Sequence, residues 1–385
     1  MDWFRCSSYI QATAKAIVAR QIDEHLAGVV ALAASSDISA TNLYLSGSLV
    51  RGEPSVVIDD DRPRLFSDVD LVAVTALPAE EHDRVRDLAE HANAREPAIE
   101  TTVFVVAAAN LHAVRSMFGR DLVSGLDDPI LDSVSIVAPE LPALGITERM
   151  ENLVHQVGGV VYFDESGLLA GTGRHFRPTL AYHEHKLALD CLRCSTPTPE
   201  GEPARFSDAL AWDPHPSGLH RDVVAELVAS REVFTPGLPR SLDLATLVVG
   251  AITSILAGSH GSSVMDAVEL VVDRYQGTTD VMNGYQLATL LVYLLPLVPV
   301  IDRASALDLL ARTWHEMERD ELVGAQDAVE QLANLDRSLI AEDGGLFAGA
   351  LPLLREVRLD YYHHLGPHNF GARAFPSYGA AERAQ

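Results

Sequence analysis

Apolar residues recur at helical spacing from Tyr9 to Ala34, where Ile17, Val18, Ile22, Leu26, Val29, Val30 and Leu32 interrupt polar neighbours, with no Gly or Pro before Gly28. The spacing predicts one long amphipathic helix. The period then shortens. Asn42 to Ser46 reads as a short strand, Gly47-Ser48 as a turn, Leu49 to Gly52 as a single helical turn, and the residues up to Ser67 as a loop. Asp68 to Thr75 is a β-rich apolar run, and Ala79 to Ala94 a helix carrying Val85, Leu88 and Ala89. Ile99 to Ala107 is a second strand dense in Val, Thr and Phe.

Beyond Thr147 strands become scarce, and helical stretches joined by Gly and Pro turns take over. The candidates are Phe176 to Cys194, His220 to Val233, Leu242 to Leu256, Ser263 to Tyr275, Val281 to Leu295, Ala304 to Leu322, Ala325 to Ile340 and Leu346 to Val357. Ser195 to Gly218 holds Pro197, Pro199, Pro203, Pro214 and Pro216 and reads as a loop or hinge. The Gly/Ala/Arg-rich residues from Gly366 on read as a loose end. No internal repeat is visible. The expectation is an α+β protein of two domains, residues 1–146 with the strands and residues 147–385 all helical.

With 385 residues, 48% hydrophobic and 22% charged, the chain can bury a large core and divide into domains. The formal net charge of −25 disfavours nucleic acid as a partner and suits a small, cationic one. Cys6, Cys191 and Cys194 are odd in number and too few for a disulfide framework, so reduced thiols are expected. Met1-Asp2-Trp3-Phe4-Arg5 has no basic region followed by an apolar stretch, so no signal peptide and a cytoplasmic location are expected. The most apolar run, Tyr285 to Ile301, is broken by Gln286, Pro296 and Pro299 and falls short of the about 20 residues of a spanning helix. It reads as a buried core helix, with no membrane segment. The pattern is compatible with a homodimer.

The chemistry concentrates between Gly47 and Val74. Asp68 and Asp70, one residue apart on a strand, point the same way. Beside a Gly-Ser turn that opens a helix, such a pair can hold divalent metal against a triphosphate whose oxygens the backbone N–H groups cradle. Bridging two Mg²⁺ ions wants a third carboxylate on a neighbouring strand. Glu100, in Ala98-Ile99-Glu100-Thr101-Thr102-Val103, is the best candidate, with Glu96 and Asp121 as rivals, and it is also a candidate base for the acceptor's proton. Asp59 and Asp61 form a second spaced pair, but Arg-Pro-Arg follows them rather than a strand.

The order Gly47-Ser48, Asp68-Val69-Asp70, then Glu100 resembles the DNA polymerase β-like nucleotidyltransferase superfamily. Within it, the small-molecule branch that includes aminoglycoside nucleotidyltransferases is most similar: Gly47-Ser48-Leu49-Val50-Arg51-Gly52 matches its phosphate loop, and Ser67-Asp68-Val69-Asp70-Leu71 its metal strand. The likeness covers the N-terminal third to two fifths of the chain. It implies a small mixed sheet flanked by helices, and Mg²⁺-dependent transfer of a nucleoside monophosphate from an NTP, ATP among the candidates, with release of pyrophosphate. It further implies that Gly47 and Ser48 bind the β- and γ-phosphates, that Arg51 steadies them, and that Asp68, Asp70 and Glu100 hold metal. Family members often present a helical lysine from the second domain to the triphosphate, and Lys186 fits that place. The chain departs from the family in the longer interval from Ser48 to Asp68, which includes Asp59-Asp60-Asp61-Arg62-Pro63-Arg64, a segment that suits an inserted hairpin tip.

Other clusters are weaker. His183, His185, Cys191 and Cys194 carry zinc-binding side chains. On one helix, however, the histidines diverge by about 200° and His183 lies about 12 Å along the axis from Cys191, so no zinc site is expected. Tyr361-Tyr362-His363-His364 and His368 could stack on a base, and Glu148, Glu151 and Asp164 could line an anionic acceptor pocket. The reading is a two-domain nucleotidyltransferase moving a nucleoside monophosphate to a hydroxyl of a small molecule. The alternatives are transfer to a protein or RNA, or a non-catalytic nucleotide-sensing protein on the same fold.

Overall fold

The computed structural model describes residues 2–36, 38, 41–76, 78–113, 117–133, 136, 140, 143–161, 179–200, 202–235, 237–258, 263–277, 281–294 and 297. In chain order the helices and strands are α1 (Ala12–Ser35), β1 (Thr41–Leu45), α2 (Gly47–Arg51), β2 (Val56–Asp59), β3 (Arg62–Leu65), β4 (Val69–Thr75), α3 (Pro78–Arg95), β5 (Thr101–Ala107), α4 (Met117–Ser124), α5 (Ile146–Val161), α6 (Leu180–Ser195), α7 (Arg221–Glu232), α8 (Leu244–Ala257), α9 (Val264–Tyr275) and α10 (Val281–Leu294). The molecule is mixed α+β, with a three-stranded and a two-stranded sheet. The three expected helices beyond Arg303, the aromatic and histidine cluster at 361–368, and Asp164 lie outside the described residues.

The larger sheet has the order β1-β4-β5, with β1 antiparallel and β5 parallel to β4. A parallel pair needs a crossover, and α3 supplies it. Along β4 the side chains alternate. Val69, Leu71 and Ala73 join a core with Val18, Ile22, Leu26 and Val29 of α1 and Val85, Leu88 and Ala92 of α3. Val72 and Val74 join Tyr44, Val106, Leu122 and Leu126 on the opposite face. Asp68 and Asp70 continue this second row past the last apolar residue, at the end of the sheet where β1 leaves and β4 and β5 enter.

The interval expected as a loop, with a segment at Asp59 to Arg64 that suits a hairpin tip, does hold a hairpin. Strands β2 and β3 pair antiparallel from Val56↔Leu65 to Asp59↔Arg62. Asp60 and Asp61 both have positive φ, 47° and 62°, as a two-residue type I′ turn requires, a conformation that Asp tolerates better than most residues. The hairpin is held at its base by Phe234 N–H, which donates to Val56 O at 2.7 Å.

A third core of Leu, Val, Ala and Cys side chains unites α5 to α10 and takes in Met117 and Leu144. Helices α6 to α10 fall where the periodicity places them; α4 and α5 went unread. The proline-rich stretch after α6 is fastened rather than free, because Phe206 N and Ser207 N donate to the Glu53 carboxylate at 3.1 and 2.8 Å. Among the described residues no helix is long and apolar enough to cross a membrane.

Candidate functional site

Strand β4 and helix α2 meet at Asp70. Ser46 N donates to Asp70 O at 2.9 Å, which seats the start of α2 against the strand. Gly47 has φ 63°, and a Cβ added there would lie 2.4 Å from Asp70 Oδ2. Glycine is therefore required twice, for the left-handed backbone and for the close approach of the carboxylate. Ser48 Oγ, next in the chain, is buried without a hydrogen-bond partner among the described residues. Burial, and then the charge of Asp68, holds the Asp70 carboxyl well above the usual carboxylate range, against the opposing pull of Lys186 and Arg51.

Glu100 stands one residue before β5. The register pairs Asp70 with Thr102, so two residues earlier Glu100 comes beside Asp68 on the same face. Val69 N donates to Glu100 O at 2.7 Å and ties the two strand entries together. Among the described residues no group of three or more His, Cys, Asp and Glu side chains gathers closely enough to hold an ion on its own. The candidate donors are thus an Asp pair with a glutamate on the neighbouring strand. Of the rivals, Glu96 lines a groove of about 460 Å³ between α1 and α3, on the opposite face of the sheet. Asp121 is taken up by arginine.

Lys186 comes from α6, whose first turn is capped by the Thr179 hydroxyl accepting from Tyr182 N. Its Nζ lies 5.3 Å from the centre of the Tyr182 ring one turn earlier, and its charge reaches Asp70. Tyr182 packs edge-on to Phe66 and Phe234, which stack on each other at 3.9 Å. An aromatic cluster from three separated segments therefore flanks the lysine.

Arg51 differs from expectation. It is buried, pairs with Asp121, and lies 3.4 Å from Glu53. Arg193 approaches Asp121 and Asp190, each at 3.8 Å, and Arg51, Arg193 and Arg231 sit over the Phe206 ring at 5.6, 5.5 and 4.5 Å. The reason is geometric: Arg51 ends a helix of five residues and faces away from its start, toward α4, α6 and α7. It stands among counter-charges, and its charge also reaches Asp70. Glu53 was not anticipated. Its partners Phe206 and Ser207 lie 153 and 154 residues away, a separation that leaves no local signal.

The other candidate side chains that the structure describes lie on α5 and α6. Burial pushes the Cys191 thiol well up and the Cys194 thiol to about 12. His185 meets Ser230 Oγ at 3.2 Å, and burial followed by Arg231 pushes it down to about 4. On α5, burial and the charge of Glu148 push Glu151 up to about 7.

No family model, curated protein or solved structure matches this chain.

Proposed function

We propose that this chain is a Mg²⁺-dependent nucleotidyltransferase that moves a nucleoside monophosphate from an NTP to a hydroxyl of a small molecule and releases pyrophosphate. The observation that carries the reading is Asp70, crowded by the charge of Asp68 and pressed against Gly47, with the Ser48 hydroxyl left over beside it. A buried carboxyl crowded by a second one, at a place where a side chain is excluded, favours a cationic guest. The donors suit Mg²⁺, which takes hard oxygen ligands and is usually held by one or two carboxylates with substrate phosphates and water. Asp68 and Asp70 would hold it, with Glu100 the neighbouring acid on the same face. Bound there, Mg²⁺ would neutralise charge on the triphosphate and the departing pyrophosphate.

The chain's own groups supply the rest. Gly47 and Ser48 present backbone N–H groups and a hydroxyl to the β- and γ-phosphates, and Lys186 adds a compact, mobile ammonium from the helical part. The acceptor oxygen attacks the α-phosphorus, its bond to the bridging oxygen of pyrophosphate breaks, and the acceptor's proton passes to a carboxylate, for which Glu100 is the candidate. Arg51 acts at a distance, bracing α2 through Asp121 and Glu53. The acidic surface favours a cationic acceptor over nucleic acid. The test is pyrophosphate release with each common NTP, Mg²⁺ and a panel of small hydroxylated amines. Release that requires both metal and acceptor is expected. The proposal fails if no combination releases pyrophosphate or adds nucleotide mass to an acceptor.

A further inference from the structure

Strand β5 lies at an edge of its sheet, so among the described residues no strand meets its outer peptide groups. Such groups need a partner or water, and edges bonded only to water fray. At Thr101 the partner is a side chain. Asn93, in the last turns of α3, accepts from Thr101 N at 2.7 Å through Oδ1 and donates to Thr101 O at 2.9 Å through Nδ2. One amide thus makes the pair of hydrogen bonds that a residue of an antiparallel neighbour would make. A second clamp acts through the side chain: Thr101 Oγ1 lies 2.7 Å from Nε2 of His25 on α1, in a buried contact.

The position of these bonds matters more than their number. Thr101 faces α1 and α3, so its neighbours Glu100 and Thr102 face the Asp68–Asp70 side. The Glu100–Thr101 peptide is gripped at both edges, its carbonyl by Val69 N at 2.7 Å and its N–H by Asn93. We propose that Asn93 and His25 are positioning residues that fix, from behind the sheet, where Glu100 stands against the Asp68–Asp70 pair. The inference rests on the nucleotidyl-transfer reading, in which Glu100 is the third acid. Groups that orient a ligand's support in this way commonly change metal affinity or activity tenfold to a hundredfold when removed.

Two variants test it: Asn93→Leu removes both amide bonds, and Thr101→Val removes the hydroxyl while keeping the branched shape. Mn²⁺ binding, followed by loss of the free ion's paramagnetic resonance signal in the presence of a non-cleavable NTP analogue, is measured beside steady-state transfer. Each variant is expected to weaken Mn²⁺ binding about tenfold and to lower kcat, with the NTP KM unchanged within about twofold. Thr101→Ser, which keeps the hydroxyl, should restore both, and Asn93→Leu added to Glu100→Gln should cost no more than Glu100→Gln alone. Unchanged Mn²⁺ affinity in a folded variant, or losses that add to those of Glu100→Gln, overturns the proposal while leaving the function standing. If Asn93→Leu does not fold, Thr101→Val decides alone. A wild-type chain that neither binds Mn²⁺ nor transfers overturns the functional reading, and this inference with it.

Discussion

Acids of the same kind lie on the two sides of helix α2, and their surroundings are opposite. On the buried side, Arg231, Arg51 and the Ser207 N–H outweigh burial and hold Glu53 below the usual glutamate range. On the strand side, burial and Asp68 outweigh Lys186 and Arg51 and hold Asp70 well above it. Among the described residues neither Asp68 nor Asp70 has a cation within 4 Å. A buried charge that is matched belongs to the architecture. One left unmatched costs stability, and a fold retains that cost where a ligand is to supply the missing charge.

The sharpest way to separate the two groups is to neutralise one acid from each. Asp70→Asn should abolish transfer by on the order of a thousandfold or more, since charge stabilisation of several kcal/mol is lost. Its thermal midpoint should hold or rise, because the amide relieves a crowded carboxyl. Glu53→Ala should do the reverse. It strands Arg51 and Arg231 and two backbone N–H groups, so denaturant unfolding should report a loss of about 3 to 5 kcal/mol, with the NTP KM of the folded fraction unchanged.

Glu151 asks whether an unmatched acid marks a site wherever it occurs. Its folded value of about 7 lies above the ordinary 4.5, so its stabilising contribution is complete below about pH 4.5 and is lost as pH rises through 7. Glu151→Gln should therefore gain about 1 to 3 kcal/mol over the wild type at pH 8 and nothing at pH 4, read from unfolding curves. Transfer that survives the change would restrict the rule to the sheet; transfer that is lost would extend it to the acceptor. The smallest expected effect is at Lys186. Lys186→Met should raise the NTP KM about tenfold and change stability by less than about 1 kcal/mol, as befits an exposed cation.

What the sequence disclosed follows from range. The α1 stripe and the apolar run after Asp70 are periodic over a few residues, and both were legible. The hairpin from Val56 to Leu65 was legible only at its tip, Asp59 to Arg64, and its strands were not, because the turn is made by Asp60 and Asp61 rather than by the Asn-Gly or Asp-Gly that announces a type I′ turn. Helices α4 and α5 escaped notice between turn-rich segments. At the candidate site, the Gly47, Asp68, Asp70 order was visible because local chemistry fixes it, and Glu100 because an acid opens the next strand. The fate of Arg51 was hidden, since Asp121 lies 70 residues away and Phe206 farther still. Asn93 lies only 8 residues from Thr101, but its meaning depends on β5 being an edge, which the local sequence does not show.

On the proposed nucleotidyl-transfer function, the Asp68–Asp70 pair takes a metal-bound triphosphate. Calorimetric titration of ATP, CTP, GTP and UTP into the chain, with and without Mg²⁺, tests it most directly. At least one nucleotide should bind only when Mg²⁺ is present, and Asp70→Asn should remove the binding. Binding of none of the four, or binding that ignores both Mg²⁺ and Asp70, would contradict it.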